Sequence, residues 1–265
     1  MTKVQIGDRE VYYDGWLKDN LDLALQMVRD DWDMVFVIDG NEGVGKSGLA
    51  QQIGLYFDPN LRLENICFSA DEFMERVRKA KKYECIIMDE AFSSLNSRQA
   101  MSKVNISLCS MLSEIRQKNL FILICIPSFF DLDKYVALWR SRALIHAYTG
   151  KGMQRGFFSF YSTGKKKTLY ISGKKLYNYD IRPDFRGRFT KPYMVDEKEY
   201  RAKKLKALSE SPKIENQTAG IEQRNSLIRY LKKQKWLNSE IADGINKFSK
   251  RKLSPSAVSK IINRK

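Results

Sequence analysis

Between the apolar run Met34-Val35-Phe36-Val37-Ile38-Asp39 and a helical stretch from Gly48 to Phe57 stand eight residues that constrain everything around them: Gly40-Asn41-Glu42-Gly43-Val44-Gly45-Lys46-Ser47. They fit the pattern G-x-x-x-x-G-K-[ST]. Strand, glycine loop and helix in that order make a cradle for phosphate. The glycines let the backbone curl around anionic oxygens, and successive N–H groups face the anion together with the helix N-terminus. In such a cradle, running here from Gly40 to Gly48, the lysine (Lys46) reaches the β- and γ-phosphates of a nucleotide such as ATP. The hydroxyl of Ser47 ligates Mg²⁺.

A second apolar run, Glu84-Cys85-Ile86-Ile87-Met88-Asp89-Glu90, ends in two carboxylates about forty residues later. It resembles a Walker B strand. The resemblance implies that Asp89 holds the Mg²⁺ shell and that Glu90 polarises the attacking water. The plainer alternative is a buried strand capped by two solvated acids. An acidic pair at this point favours hydrolysis over phosphoryl transfer to a small acceptor, because small-molecule kinases usually lack it.

Periodicity organises the rest of the front half. Val4–Ile6 and Glu10–Tyr13 read as a hairpin, and Trp16 to Val28 as a helix. Strands are expected at Met34–Asp39, Ile66–Ser69, Glu84–Glu90, Leu120–Ile126 and Ala143–Tyr148. Helices are expected at 48–57, 71–81, 98–118 and 132–139. Strands alternating with helices imply a parallel sheet covered on both faces. The core, residues 33–148, resembles the additional-strand catalytic-glutamate division of P-loop ATPases. That division includes AAA+ proteins, RecA-like motors and FtsK/HerA-type DNA pumps. The resemblance implies a polar sensor near the γ-phosphate at Ser128. It also implies an arginine finger at Arg140 or Arg142, with Arg116 as a third choice. A finger acting in trans requires a homo-oligomer, such as a ring.

Charge divides the chain. Residues 1–150 carry 18 Lys+Arg against 21 Asp+Glu, a net −3, while residues 151–265 carry 29 against 10, a net +19. A basic half joined to a nucleotide-binding half points to DNA, duplex favoured. An anionic membrane surface is the other partner for such charge, but neither a lipidation motif nor a strongly amphipathic basic helix accompanies it. No run reaches the length of a membrane span, and the N-terminus lacks a signal-peptide pattern. The four cysteines form no CxxC and read as reduced, in a cytoplasmic protein. The single histidine, His146, lacks the company a metal site needs and reads as structural.

Within the basic half, Arg155–Thr163, Gly164-Lys165-Lys166-Lys167 and Thr168–Ser172 read as a β-hairpin with a lysine tip. That tip suggests a DNA-tracking loop of Lys165, Lys166 and Lys167. The alternative is an edge hairpin that its lysines protect from aggregation. Residues 174–204 are basic and irregular, suited to wrapping the core or a neighbouring subunit. Residues 205–222 have linker composition, completing a first domain at 1–204. Residues 223–265 resemble a helix-turn-helix module with helices at 225–233, 239–248 and 255–263. Ser254 would cap the third helix, and Ser256, Ser259 and Lys260 would face DNA. Its turn, Asn246 to Lys252, is longer than usual.

The expectation is therefore an α/β P-loop NTPase core with an appended β-hairpin and a small all-α, helix-turn-helix-like tail. Its layout resembles Zot-like and viral DNA-packaging ATPases. The implied function is an oligomeric, DNA-dependent ATPase of a phage or mobile element that translocates or packages DNA. The alternative is an ATP-switched, site-specific DNA-binding protein with slow hydrolysis.

Overall fold

The computed structural model describes residues 2–89, 103–190, 193–210, 215–247 and 253–263. A hairpin opens the chain: β1 (Thr2–Ile6) pairs antiparallel with β2 (Arg9–Tyr13), with Gly7 at positive φ in the turn. Asp14 then caps α1 (Gly15–Arg29), accepting from the backbone N–H groups of Trp16 and Leu17. Leu17, Leu21, Ala24 and Val28 form its buried stripe, at the spacing of a helix that covers a sheet.

Next come β3 (Met34–Asp39), α2 (Lys46–Phe57), β4 (Ile66–Cys67), α3 (Ala70–Lys79) and β5 (Cys85–Met88). They are followed by α4 (Lys103–Glu114), β6 (Phe121–Ile126), β7 (Ala143–Tyr148), β8 (Phe157–Tyr161), α5 (Thr163–Gly173) and β9 (Phe185–Arg188). The seven strands from β3 onward form one sheet in the order β4-β5-β6-β3-β7-β8-β9. From β4 to β7 all pairings are parallel; β8 and β9 extend the sheet antiparallel. One strand, β6, thus separates the phosphate-loop strand β3 from the acidic strand β5. This order, in a mainly parallel sheet, fits a P-loop NTPase core.

All six residues of β3 are buried, as a parallel strand covered on both faces requires. Phe36 and Ile38 join the layer containing Leu17, Leu21, Leu49 and Ile53 of α1 and α2. Val35 and Val37 join the opposite layer, with Phe73, Leu108, Leu112 and Leu169 of α3, α4 and α5. Period-two alternation along one strand thereby feeds two cores.

The segment expected to complete a β-hairpin is a helix. Residues 157–161 are a strand, but 163–173 form α5, and the second antiparallel partner of β8 is β9. Lys166, Leu169, Tyr170 and Gly173 are the buried positions, at helical and not alternating spacing. The expected helix 132–139 is a short irregular one that ends in a wide π turn, Val136–Arg140.

The chain divides into two compact units, Met1–Ser209 and Glu210–Lys265. Much of the expected linker is helical. Residues 205–210 end α6 (Glu197–Glu210), and 215–222 open α7 (Glu215–Lys233). In the second unit α7 packs with α8 (Asn238–Asn246) and α9 (Pro255–Asn263) around Ile228, Ile241, Ala242 and Val258. The Asn246 side chain bridges to Leu253, donating to its carbonyl at 2.9 Å and accepting from its N–H at 2.6 Å. No helix among the described residues is long and apolar enough to cross a membrane.

Candidate active site

Parallel strands present their C-terminal ends to one rim of the sheet, where open α/β folds bind ligands. The loop from Gly40 to Gly45 lies there, between the end of β3 and the start of α2. Gly40 has φ +138°, and a Cβ at this position would stand 2.1 Å from the Ala147 carbonyl oxygen at the end of β7. Gly45, at φ +105°, caps α2 under the ring of Phe189. These two positions take glycine because the loop must turn sharply while pressed against its neighbours. The Lys46 ammonium arches back over the loop and donates to the carbonyls of Gly40 (2.7 Å) and Asn41 (2.9 Å).

Ser47, in the first turn of α2, donates through Oγ to Asp89 Oδ1 at 3.1 Å. Asp89 follows β5 directly and is 3 % exposed. A hydroxyl and a carboxylate are hard oxygen donors, and they fit a Mg²⁺ that brings phosphate oxygens and water as its other ligands. Among the described residues no cluster of three His, Cys, Asp or Glu side chains is arranged to hold a metal. Glu90 lies outside the described residues, as does the Arg116 side chain.

Behind the loop, the last residue of β3 anchors a polar network. Asp39, fully buried, accepts from the Phe129 N–H at 3.0 Å and from the Tyr179 hydroxyl, and pairs with His146 Nδ1 at 2.9 Å. The His146 ring stacks on Tyr179 with centroids 3.9 Å apart. Burial, then the Asp39 charge, push the Tyr179 phenol far above its ordinary value, so it remains a donor. Ser128 lies near the Tyr179 hydroxyl, and the neighbouring Pro127 carbonyl accepts from Gly40 N–H at 3.3 Å. The structure thus brings Ser128 beside the loop, and gives the lone histidine a structural partner.

Two of the arginines expected to act as fingers, Arg140 and Arg142, lie away from the loop of their own chain. Arg140 is buried, ion-paired with Asp33 and donating to the Leu112 carbonyl. Burial, then the nearby Arg142 charge, pull its pKa down to about 10. Its guanidinium is committed to the interior of its own chain. Arg142 lies over the Trp32 ring at 4.9 Å, and its N–H bonds the Val35 carbonyl. It precedes β7, so it stands at the opposite rim from the loop, roughly 16 Å away at 3.3 Å per strand residue.

The arginine the structure sets against the loop is Arg155, which the sequence reading did not single out. Its guanidinium would be 3.7 Å from a Cβ at Gly43. With Met153, Gln154, Arg188, Phe189 and Thr190 it lines a cleft of about 570 Å³. A usable signal existed: Arg155 follows β7, so strand polarity alone directs it to the phosphate rim.

The lysines expected at a DNA-tracking tip are engaged within the protein. Lys165 pairs with Asp184 at 3.0 Å, and Lys167 lies 4.3 Å from the Trp139 ring centroid. Lys166 is fully buried and donates to the Ala137 carbonyl at 2.6 Å. The tail residues are placed more openly. Ser254 caps α9 by accepting from Ala257 N–H; Ser256 and Lys260 are exposed, and Ser259 is half-buried. None of the four cysteines is in a disulfide: Cys67, Cys85 and Cys125 are buried and Cys109 is half-buried.

No protein-family model matches the chain, and no curated protein matches it. Among solved structures it is similar to the N-terminal domain of zonular occludens toxin from Neisseria meningitidis, at 15 % identity and a TM-score of 0.41. That match covers 61 % of this chain and 95 % of the other. It is also similar to the genome-packaging NTPase B204 of Sulfolobus turreted icosahedral virus 2 in complex with ATP-γ-S. Here identity is 16 % and the TM-score 0.37, over 51 % of this chain and 94 % of the other. Identities and scores this low leave the functional argument to the site itself.

Proposed function

We propose that this chain is an ATP hydrolase that acts on DNA, translocating or packaging it as an oligomer. One observation carries the nucleotide half of the reading. The loop serine and the Walker B aspartate meet at 3.1 Å across the gap left by β6, at the phosphate rim of the sheet. In this reading the loop N–H groups and Lys46 bind the phosphates, and Ser47 and Asp89 would hold a Mg²⁺ that would neutralise phosphate charge. Glu90, next in sequence to Asp89, takes the proton of the attacking water. Among the described residues Arg155, set against Gly43 of the loop, is the guanidinium to meet charge on the terminal phosphate. The DNA half rests on the net +19 of residues 151–265. With the lysines of α5 occupied, the exposed Ser256 and Lys260 of the helix-turn-helix-like tail are its first contacts.

The test is ATP turnover by the whole chain, with and without duplex DNA, beside Glu90→Gln and a chain lacking 223–265. Turnover that rises severalfold with DNA and vanishes in Glu90→Gln supports a DNA-dependent hydrolase. If the shortened chain keeps the stimulation, the first unit itself touches DNA, as a motor requires. Turnover that stays slow with any DNA overturns the motor and leaves an ATP-switched DNA-binding protein.

A further inference from the structure

The Walker B aspartate has a partner that no motif announces. Tyr200, near the start of α6, lies 111 residues from Asp89 in sequence, and its hydroxyl donates to Asp89 Oδ2. The other oxygen, Oδ1, faces Ser47. One turn further along α6, Lys204 Nζ stands 3.9 Å from Oδ2. The carboxylate is therefore held through both oxygens, Oδ1 by Ser47 and Oδ2 by Tyr200, with Lys204 near Oδ2.

Several independent contacts keep Tyr200 there. Its ring, 2 % exposed, packs beside Phe68 (centroids 5.5 Å) and Tyr193 (4.9 Å). Lys203, the neighbouring α6 residue, pairs with Glu72 at 2.6 Å and donates to the carbonyls of Leu63 and Ile66 at the entry to β4. Upstream, the segment leading into α6 is fastened to the phosphate-loop helix α2. Thr190 carbonyl accepts from Gln52 Nε2 at 2.5 Å, and Met194 N–H donates to Gln51 Oε1 at 3.0 Å. One strap thus touches α2, which supplies Ser47, and the end of β5, which supplies Asp89.

We infer that Tyr200 is a positioning residue for the metal centre: it fixes the Asp89 carboxylate so that Oδ1 presents to Ser47 and the Mg²⁺ shell. Carboxylates at metal sites are commonly oriented by a hydrogen bond to the oxygen that faces away, and losing such a partner lowers metal affinity about 10- to 100-fold. The inference rests on the Mg²⁺–nucleotide reading above.

The experiment uses the full chain as wild type, Tyr200→Phe and Tyr193→Phe. Tyr200→Phe keeps the buried ring and removes only the hydroxyl; Tyr193→Phe removes a hydroxyl from the same stack without touching Asp89. Mn²⁺ binding is titrated by electron paramagnetic resonance in the presence of ATP-γ-S, and binding of a fluorescent ATP analogue is measured in EDTA. The expected result is Mn²⁺ affinity about tenfold weaker in Tyr200→Phe, with Tyr193→Phe like wild type and metal-free nucleotide affinity alike in all three. Unchanged Mn²⁺ affinity in Tyr200→Phe overturns the inference alone. Tighter Mn²⁺ binding also overturns it, and makes α6 a brake on the site. A wild type that binds no nucleotide, with or without metal, brings down the ATPase reading and this inference with it.

Discussion

In the proposed reading Lys46 and Arg155 serve the same phosphates from different distances, and their substitutions separate binding from chemistry. Lys46 makes charge-assisted hydrogen bonds from inside the loop. In the proposed reading the ammonium turns to phosphate oxygens, and charge-assisted bonds of that kind are worth about 1.5–3 kcal/mol, so Lys46→Ala is expected to weaken ATP binding roughly 10- to 100-fold, measured by equilibrium titration. Arg155 approaches from outside, over Gly43. A guanidinium that meets charge developing on the terminal phosphate acts on the transition state. Arg155→Ala is therefore expected to lower kcat about 10³-fold with far less change in KM. Arg142→Ala, at the opposite rim, is expected to leave the rate per bound nucleotide within about twofold. Equal losses in both variants would return the finger to the position the family resemblance suggested. Arg140 belongs to stability. Removing one partner of a buried ion pair strands the other, so Arg140→Ala is expected to cost about 3–5 kcal/mol in denaturant unfolding.

At the scale of elements, α5 shows how a lysine-rich stretch hides a helix. Gly164-Lys165-Lys166-Lys167 between aromatic and β-branched residues has the composition of a hairpin tip. The periodicity becomes helical only when Lys166 is counted among the buried positions with Leu169, Tyr170 and Gly173. Nothing local signals that, because the acceptors of its ammonium are the carbonyls of Ala137 and Leu138 in another element. Burial, then the charges of Lys167 and Arg142, lower the Lys166 pKa to about 7. The unfolded chain, with an ordinary lysine pKa, therefore binds the proton more tightly than the fold. Stability on this account is lowest below pH 7 and rises toward the unfolded pKa. The buried tyrosines, whose pKa values are raised, work the other way only above about pH 10, where unfolded phenols ionise. The urea midpoint is expected to rise from pH 7 to pH 9.5, and Lys166→Met to flatten that rise. A slope that persists in the variant would place the titration elsewhere.

At the scale of the whole molecule, the charge division is a prediction about salt. Residues 223–265 hold 12 Lys+Arg against 2 Asp+Glu. Each phosphate they neutralise adds about −0.9 to the slope of log K against log salt. A chain that ends before 223 is expected to bind duplex DNA with a visibly shallower slope, read by fluorescence anisotropy across a salt series. An unchanged slope would assign the phosphate contacts to the first unit.

The sequence by itself determined the phosphate loop, the Walker B run and the alternation of strands and helices. Each is written in a short window: glycines where the backbone must turn, an apolar run that ends in acid, an apolar stripe at fixed spacing. Strand boundaries at Met34–Asp39, Leu120–Ile126 and Ala143–Tyr148 matched the observed elements to within a residue for the same reason. Tertiary structure alone decided how closely Arg155 approaches Gly43, that Lys166 is interior, and that Tyr200 holds Asp89. Those depend on which rim of the sheet a residue reaches and on partners tens to over a hundred residues away. Local pattern carries no information about such distances; the polarity of a parallel sheet and the return path of the chain do.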